Sequence, residues 1–265
     1  MSRIPATFER LARAGHKALI PFFSVGDPSL PLCVPTMRAM VTGGADIIEL
    51  GIPFSDPMAD GPTIQRSSER ALKNGVTLHD VLATVAQFRQ TDNVTPVVLM
   101  GYANPIERMG REHFAGQCAA AGVDGVLVVD YPPDEARDLG QLLGPQGVDS
   151  IFLLSPTSTD ARVKEIASLA TGYIYYVSLR GVTGASNIDP QDVARQIARI
   201  KAVARVPVGV GFGIRDGATA RQLAETADAI VVGSRIVEEI EASPADEVPA
   251  RVGALINRFR QAMDA

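Results

Sequence analysis

Short apolar runs recur along this chain at a spacing that leaves little choice of fold. They are Ala18 to Phe23, Asp46 to Leu50, Pro96 to Met100, Gly125 to Val129, Ser150 to Leu154, Tyr173 to Val177, Pro207 to Val210 and Ala229 to Val232. Each is bounded by Gly, Pro, Asp or Ser and is too short for a buried helix, which marks strands. Between them lie segments of helical period: Leu30 to Val41, Glu107 to Ala121, Glu135 to Leu143, Ala161 to Ala170, Pro190 to Val203 and Ala218 to Ala227. Near-continuous apolar strands that alternate with helices require a parallel sheet with helices outside it, because parallel neighbours need a crossover connection. Eight such units predict an α/β fold, a single closed (β/α)₈ TIM barrel over residues 1–265, with an N-terminal helix carried by Ile4, Phe8 and Leu11. An open doubly wound sheet is the alternative that periodicity leaves.

One interval breaks the pattern. Successive strands begin about 20 to 35 residues apart, but about 50 separate the second from the third. The added stretch holds the Pro- and Asp-rich segment Gly51 to Gly61 and two helical segments near Thr63 to Lys73 and Leu78 to Gln90. Long connections in compact domains usually serve function, so an extended loop after the second strand is expected near the site.

The balance of charge narrows the partners. With 25 basic against 30 acidic residues and a net charge of −5, the chain has no basic run suited to a phosphate backbone, and no nucleic acid is expected. The longest charge-free stretches, Asn93 to Ile106 and Ile166 to Leu179, are broken by Pro or Gly and are shorter than a membrane span. Glu9 and Arg10 interrupt the N-terminal apolar residues, which argues against a signal peptide and for a cytoplasmic protein. Cys33 and Cys118 are too few for a disulfide framework, and His16, His79 and His113 avoid the strand exits, so no metal site is expected.

Active sites of such barrels lie where the strands end. The exits read Ser24-Val25-Gly26-Asp27-Pro28, Glu49 through Asp60-Gly61, Gly101 to Pro105, Asp130 to Pro133, Ser178 through Thr183-Gly184, Gly211-Phe212-Gly213 and Gly233-Ser234. Strand alternation puts Glu49 on the same face as Ile47, so an inward Ile47 brings a carboxylate into an apolar barrel mouth. Lost hydration would raise its pKa and suit it to general acid/base work; a loop cap or an arginine partner is the structural alternative. Asp56 and Asp60 in the added loop read equally as turn formers. Tyr175 has the parity to stand beside Glu49 with its hydroxyl. Phe22, Met100, Tyr102, Leu127, Leu153 and Phe212 sit where they could line a flat aromatic pocket or simply fill the core. The glycines of the last two exits, followed by a helix from about Ile236, suggest a phosphate cradle.

The run Glu49-Leu50-Gly51-Ile52-Pro53-Phe54-Ser55-Asp56-Pro57-Met58-Ala59-Asp60-Gly61-Pro62-Thr63-Ile64-Gln65 closely resembles the signature of the tryptophan synthase α chain family. Leu99 to Pro105, Tyr175 with Gly181 to Gly184, and Gly211 to Ile214 before Gly233-Ser234 extend the resemblance over the chain. It implies a barrel lyase that cleaves indole-3-glycerol phosphate to indole and glyceraldehyde 3-phosphate in tryptophan biosynthesis. It further implies an α₂β₂ heterotetramer whose β chain carries pyridoxal phosphate, with no cofactor in the present chain. By the same resemblance Glu49 is the acid/base, Asp60 faces the indole N–H, and Tyr175 stands beside the pair. Phe22, Leu127 and Phe212 match indole-pocket positions, Gly184, Gly213, Gly233 and Ser234 phosphate-binding positions, and Thr183 a residue that closes over Asp60. Pro53, Asp56, Asn104 and Pro132 match positions at the β-chain contact. Arg180 departs from the pattern and fits either loop closure or the phosphate. A phosphate-binding isomerase barrel and a non-catalytic barrel that activates a partner are the alternatives; the added loop opposes the first, and the Glu49 and Asp60 pair the second.

Overall fold

The computed structural model describes residues 1–178, 189–211 and 213–265. Eight parallel strands close a barrel in sequence order: β1 Ala18–Ser24, β2 Ile48–Gly51, β3 Val97–Gly101, β4 Gly125–Val128, β5 Asp149–Leu154, β6 Ile174–Val177, β7 Val208–Gly211 and β8 Ala229–Val232. The described helices are α1 Ile4–Ala14, α2 Leu30–Gly43, α3 Pro62–Lys73, α4 Leu78–Arg89, α5 Ala103–Met109, α6 Arg111–Ala121, α7 Pro133–Leu143, α8 Asp160–Leu169, α9 Pro190–Lys201, α10 Gly217–Ala224, α11 Ser234–Ala242 and α12 Val248–Asp264. Closure by pairing of β1 with β8 excludes the open sheet.

Strand alternation divides the apolar residues into two layers. Leu19, Phe23, Ile48, Leu50, Val97, Leu99, Ile174, Val208 and Ile230 face the helices. Ala18, Ile20, Ile47, Val98, Leu127, Ile151, Tyr173, Tyr175, Ala229 and Val231 fill the barrel interior. Ile4, Phe8 and Leu11 join this inner layer, so α1 stoppers the end of the barrel opposite the strand exits. Phe8 meets the Tyr173 ring at 6.1 Å between centroids. Buried Asp124 secures the stopper: it accepts from the Arg3 backbone N–H at 2.8 Å and pairs with the Arg3 and Arg89 guanidiniums at 2.9 and 2.6 Å. With that end sealed, the mouth at the strand exits is where a ligand can enter.

Two helical features differ from the expected segments: one segment is divided, and a further helix, α12, follows the last strand. The segment expected to run as one helix from Glu107 to Ala121 divides at Gly110, whose φ of 89° interrupts helical backbone. Helix α12 carries an apolar stripe, Val248, Val252, Leu255, Ile256 and Phe259, that packs on α2. That contact is close: a Cβ on Gly43 would lie 2.5 Å from the Gly253 carbonyl oxygen.

Candidate active site

Glu49 leaves β2 on the inner face, in register with Phe22 of β1 and Val98 of β3. It is 1% exposed, and among the described residues its side chain is bonded by the Tyr173 hydroxyl, which donates to Oε1 at 3.3 Å. Burial pushes its pKa up to about 7, with the tyrosine bond pulling weakly the other way. The hydroxyl at Glu49 therefore belongs to Tyr173, two residues before the expected Tyr175. Both side chains lie on the inner face of the sixth strand. Tyr175, also buried, is in electrostatic reach of Glu49 and Asp60 together, and its own pKa is driven up by burial and by both carboxylates.

Asp60 ends the added loop, one residue before Gly61, the N-cap of α3. The Tyr102 hydroxyl donates to its Oδ2 at 3.0 Å and accepts from the Ala59 N–H at 3.1 Å, while Gln65 Nε2 donates to its backbone oxygen at 2.8 Å. Phe54 stacks on Tyr102 with centroids 5.2 Å apart, and the Ser68 side chain bonds both the N–H and the carbonyl of Phe54. The loop is thus clamped on the barrel from both of its ends. Burial raises the Asp60 pKa to about 6, opposed by the Tyr102 bond.

An open cleft of about 360 Å³ is lined by Asp60 and Tyr175 together with Met100, Val129, Leu153 and Val177. A flat apolar ring fits the side formed by Met100, Val129, Leu153 and Val177, with Asp60 one of the polar groups at the edge beside Ser155, Ser158 and Arg162. Phe22 lines an adjoining small cavity with Asp60, Gly51 and Tyr102. Its ring occupies room that glycine provides: a Cβ on Gly51 would fall 2.7 Å from Phe22 Cζ. Leu127 is fully buried in the inner layer, and the cleft residue from that strand exit is Val129. Phe212, Thr183, Gly184 and Arg180 lie outside the described residues.

Gly213 takes the left-handed backbone, φ 75°, at the seventh exit. Gly233 caps α11 without a side-chain acceptor, so the Ser234 and Arg235 amides open that helix unpaired within it. On the outer rim Asp56, Asn104 and Pro132 are exposed, whereas Pro53 is buried; the exposed apolar group of the added loop is Met58, at 78%. Among the described residues, no three His, Cys, Asp or Glu side chains gather as metal ligands. Tyr173 and Tyr102 are the residues that sequence reasoning left without their roles. Their signal was parity: Tyr173 shares a strand face with Tyr175, and Tyr102 directly follows the end of β3.

A family model described as tryptophan synthase alpha chain matches residues 8–264. The chain belongs to the tryptophan synthase alpha chain family. Alpha chains from Janthinobacterium sp. (strain Marseille) and Aromatoleum aromaticum are 56% and 58% identical to it over 264 residues, covering all of this chain and 100% and 97% of theirs. The solved alpha subunit from Legionella pneumophila superposes with a TM-score of 0.92 at 44% identity, over 100% of this chain and 99% of that one. A Mycobacterium tuberculosis tryptophan synthase chain, from an aminoacrylate-bound structure, gives 0.88 at 35% identity over 99% and 100%. As a member of the tryptophan synthase alpha chain family, this chain is a lyase that cleaves indole-3-glycerol phosphate to indole and glyceraldehyde 3-phosphate in tryptophan biosynthesis.

Proposed function

We propose that Glu49 and Asp60 perform this cleavage as an acid/base and electrostatic pair, while Gly213, Gly233 and Ser234 hold the substrate phosphate. The observation that carries the reading is two carboxylates at one barrel mouth, both raised toward neutrality by burial and each bonded by a tyrosine hydroxyl. Cleaving the bond from indole C3 to the glycerol chain needs a proton on C3, a base for the adjacent hydroxyl and a counter-charge for the ring nitrogen.

A carboxyl with a pKa of about 7 is half protonated at neutral pH, so Glu49 gives its proton to C3. The positive charge that appears on the ring N–H is stabilised by ionised Asp60. The Glu49 carboxylate then takes the proton of the glycerol hydroxyl. The O–H pair becomes the carbonyl, the carbon–carbon pair returns to the ring and neutralises nitrogen, and Glu49 ends protonated as it began. Tyr173 orients Glu49, Tyr175 and Phe22 exclude water, and Leu127 backs the pocket from the inner layer. This step asks for no cofactor in the chain itself.

The phosphate reading rests on the Ser234 and Arg235 amides at the positive end of α11 and on the left-handed turn at Gly213. By the resemblance, Gly184 completes the cradle, Phe212 the indole wall, and Thr183 the cover over Asp60. The same reading treats residues 1–265 as one barrel domain acting in the cytosol, as the α subunit of an α₂β₂ assembly. A β chain holding pyridoxal phosphate would dock over Asp56, Asn104, Pro132 and Met58, with Pro53 supporting the loop from beneath. Indole is neutral and apolar, and docking at the strand exits passes it to the next site without release.

The test is indole formation from indole-3-glycerol phosphate by Glu49→Gln, which keeps the side-chain volume but cannot transfer a proton. Turnover should fall about 10² to 10⁴-fold with the fold retained. Activity within a few-fold of wild type would sink the assignment.

A further inference from the structure

Asp27 is a carboxylate on the catalytic rim that the chemistry does not use. Its side chain is fully buried and turned away from the cleft, toward α3. Arg70 grips it with two parallel bonds of 2.8 and 2.7 Å, and the Ser67 hydroxyl donates to it at 2.5 Å. One turn further along, Asn74 Nδ2 donates to the carbonyls of Gly26 and Pro28 at 3.0 and 2.7 Å. Gly26 leaves no slack, since a Cβ there would fall 2.3 Å from Val76 Cγ2. The free face of Arg70 reaches Glu241 of α11 at 2.9 Å, and Arg66 binds the same carboxylate at 2.9 and 2.7 Å.

The ends of these two helices matter. Helix α3 begins two residues after Asp60, and α11 begins with the amides assigned to the phosphate. Helix α3 is therefore fixed in rotation by the first-strand exit and tied through Arg66 and Arg70 to the last turn of α11. Pro62 and Arg70 are about 12 Å apart along the axis, so a tilt of about 5° about Arg70 would move Asp60 by about 1 Å. Bidentate arginine–carboxylate pairs resist such tilts because their geometry is planar and directional.

We propose that Asp27, Arg70, Arg66 and Glu241 form a spacer that sets the distance between the carboxylate serving the indole end and the amides serving the phosphate end, and so are positioning residues for a substrate that spans both. The proposal rests on the assignment of Asp60 and the Gly233–Ser234 terminus to those two ends. It implies a specific signature: ligands that occupy one end bind normally when the spacer is cut, while the reaction of the spanning substrate suffers.

The experiment uses the full chain, with saturating β chain, carrying Glu241→Ala, Arg66→Ala or both. Glu241 is partly exposed, so its removal cuts the α11 link without emptying the core, whereas Arg66→Ala alone leaves the Arg70 bond to Glu241. In Glu241→Ala the kcat for indole-3-glycerol phosphate cleavage should fall about tenfold, since an ångström-scale displacement of a catalytic group is sufficient for such a loss. Calorimetric affinity for glycerol 3-phosphate should stay within about twofold and the double variant should match Glu241→Ala, because coupled residues are not additive. A kcat within about twofold of wild type overturns the spacer. So does a parallel loss of glycerol 3-phosphate affinity, which would place Glu241's effect in the cradle alone, or a kcat loss that tracks a lowered Tm and vanishes on cooling. Failure of the wild-type chain to bind glycerol 3-phosphate, or full activity in Asp60→Asn, would instead overturn the underlying assignment of the two ends.

Discussion

Glu49 and Asp60 are both driven toward neutrality by lost hydration, from different starting values, and on the proposed mechanism the order of their pKa values divides their tasks. Asp60 at about 6 is mostly ionised where Glu49 at about 7 is still half protonated. Proton delivery first to C3 requires that combination, so kcat/KM should be bell-shaped: rising through about pH 6 as Asp60 ionises and falling through about pH 7 as Glu49 loses its proton. Asp60→Asn should remove the acid limb and keep the alkaline one. Steady-state rates from pH 5 to 9 check this, and a profile that only rises through neutrality would mean that Glu49 acts first as a base.

At the scale of elements, the added loop is useful only when held, and Tyr102 holds it. Its hydroxyl bonds Asp60 and the Ala59 amide together, so Tyr102→Phe removes two bonds while the Phe54 stack persists. Each is worth about 0.5 to 1.5 kcal/mol, a modest cost to stability. The larger effect should be on kcat, since Asp60 loses its anchor. The Tyr102 bond also lowers the Asp60 pKa, so without it the acid limb should move to higher pH. An unmoved limb with reduced kcat would show that the bond positions Asp60 without tuning its charge.

At the scale of the whole molecule, the buried carboxyl makes stability depend on pH. Glu49 titrates at 4.5 in the unfolded reference and at about 7 in the fold, so between these values the native state binds the extra proton. Unfolding free energy therefore falls as pH rises through that window, by up to about 3 kcal/mol. Glu49→Gln should gain on wild type progressively from pH 5 to pH 8 in urea melts; a constant difference would contradict a carboxyl whose pKa is raised by burial. The other whole-molecule consequence is coupling to a partner. On the proposed docking over Met58 and Asp56, the β chain would restrain the loop that ends in Asp60, so indole formation should rise as β chain is added, and Met58→Asp should blunt the rise. A flat titration with binding confirmed would separate association from catalysis.

How much of this was legible follows from the range of each interaction. The strand count and parallel pairing come from apolar runs recurring between helical segments, and the shared face of Ile47 and Glu49 from alternation along one strand, all local properties of the chain; which face points inward waited on closure. The partners of the charges do not. Tyr173 lies 124 residues from Glu49, Tyr102 lies 42 from Asp60, and Arg70 lies 43 from Asp27. Parity alone left Tyr173 and Tyr175 equivalent, and the spacing of strand exits could not tell that Asp27 turns outward while Glu49 turns in. Only barrel closure, which fixes the stagger of neighbouring strands and the seat of each helix, decided which hydroxyl meets which carboxylate, that α1 seals the far end, and that Pro53 lies beneath the loop whose surface is Met58.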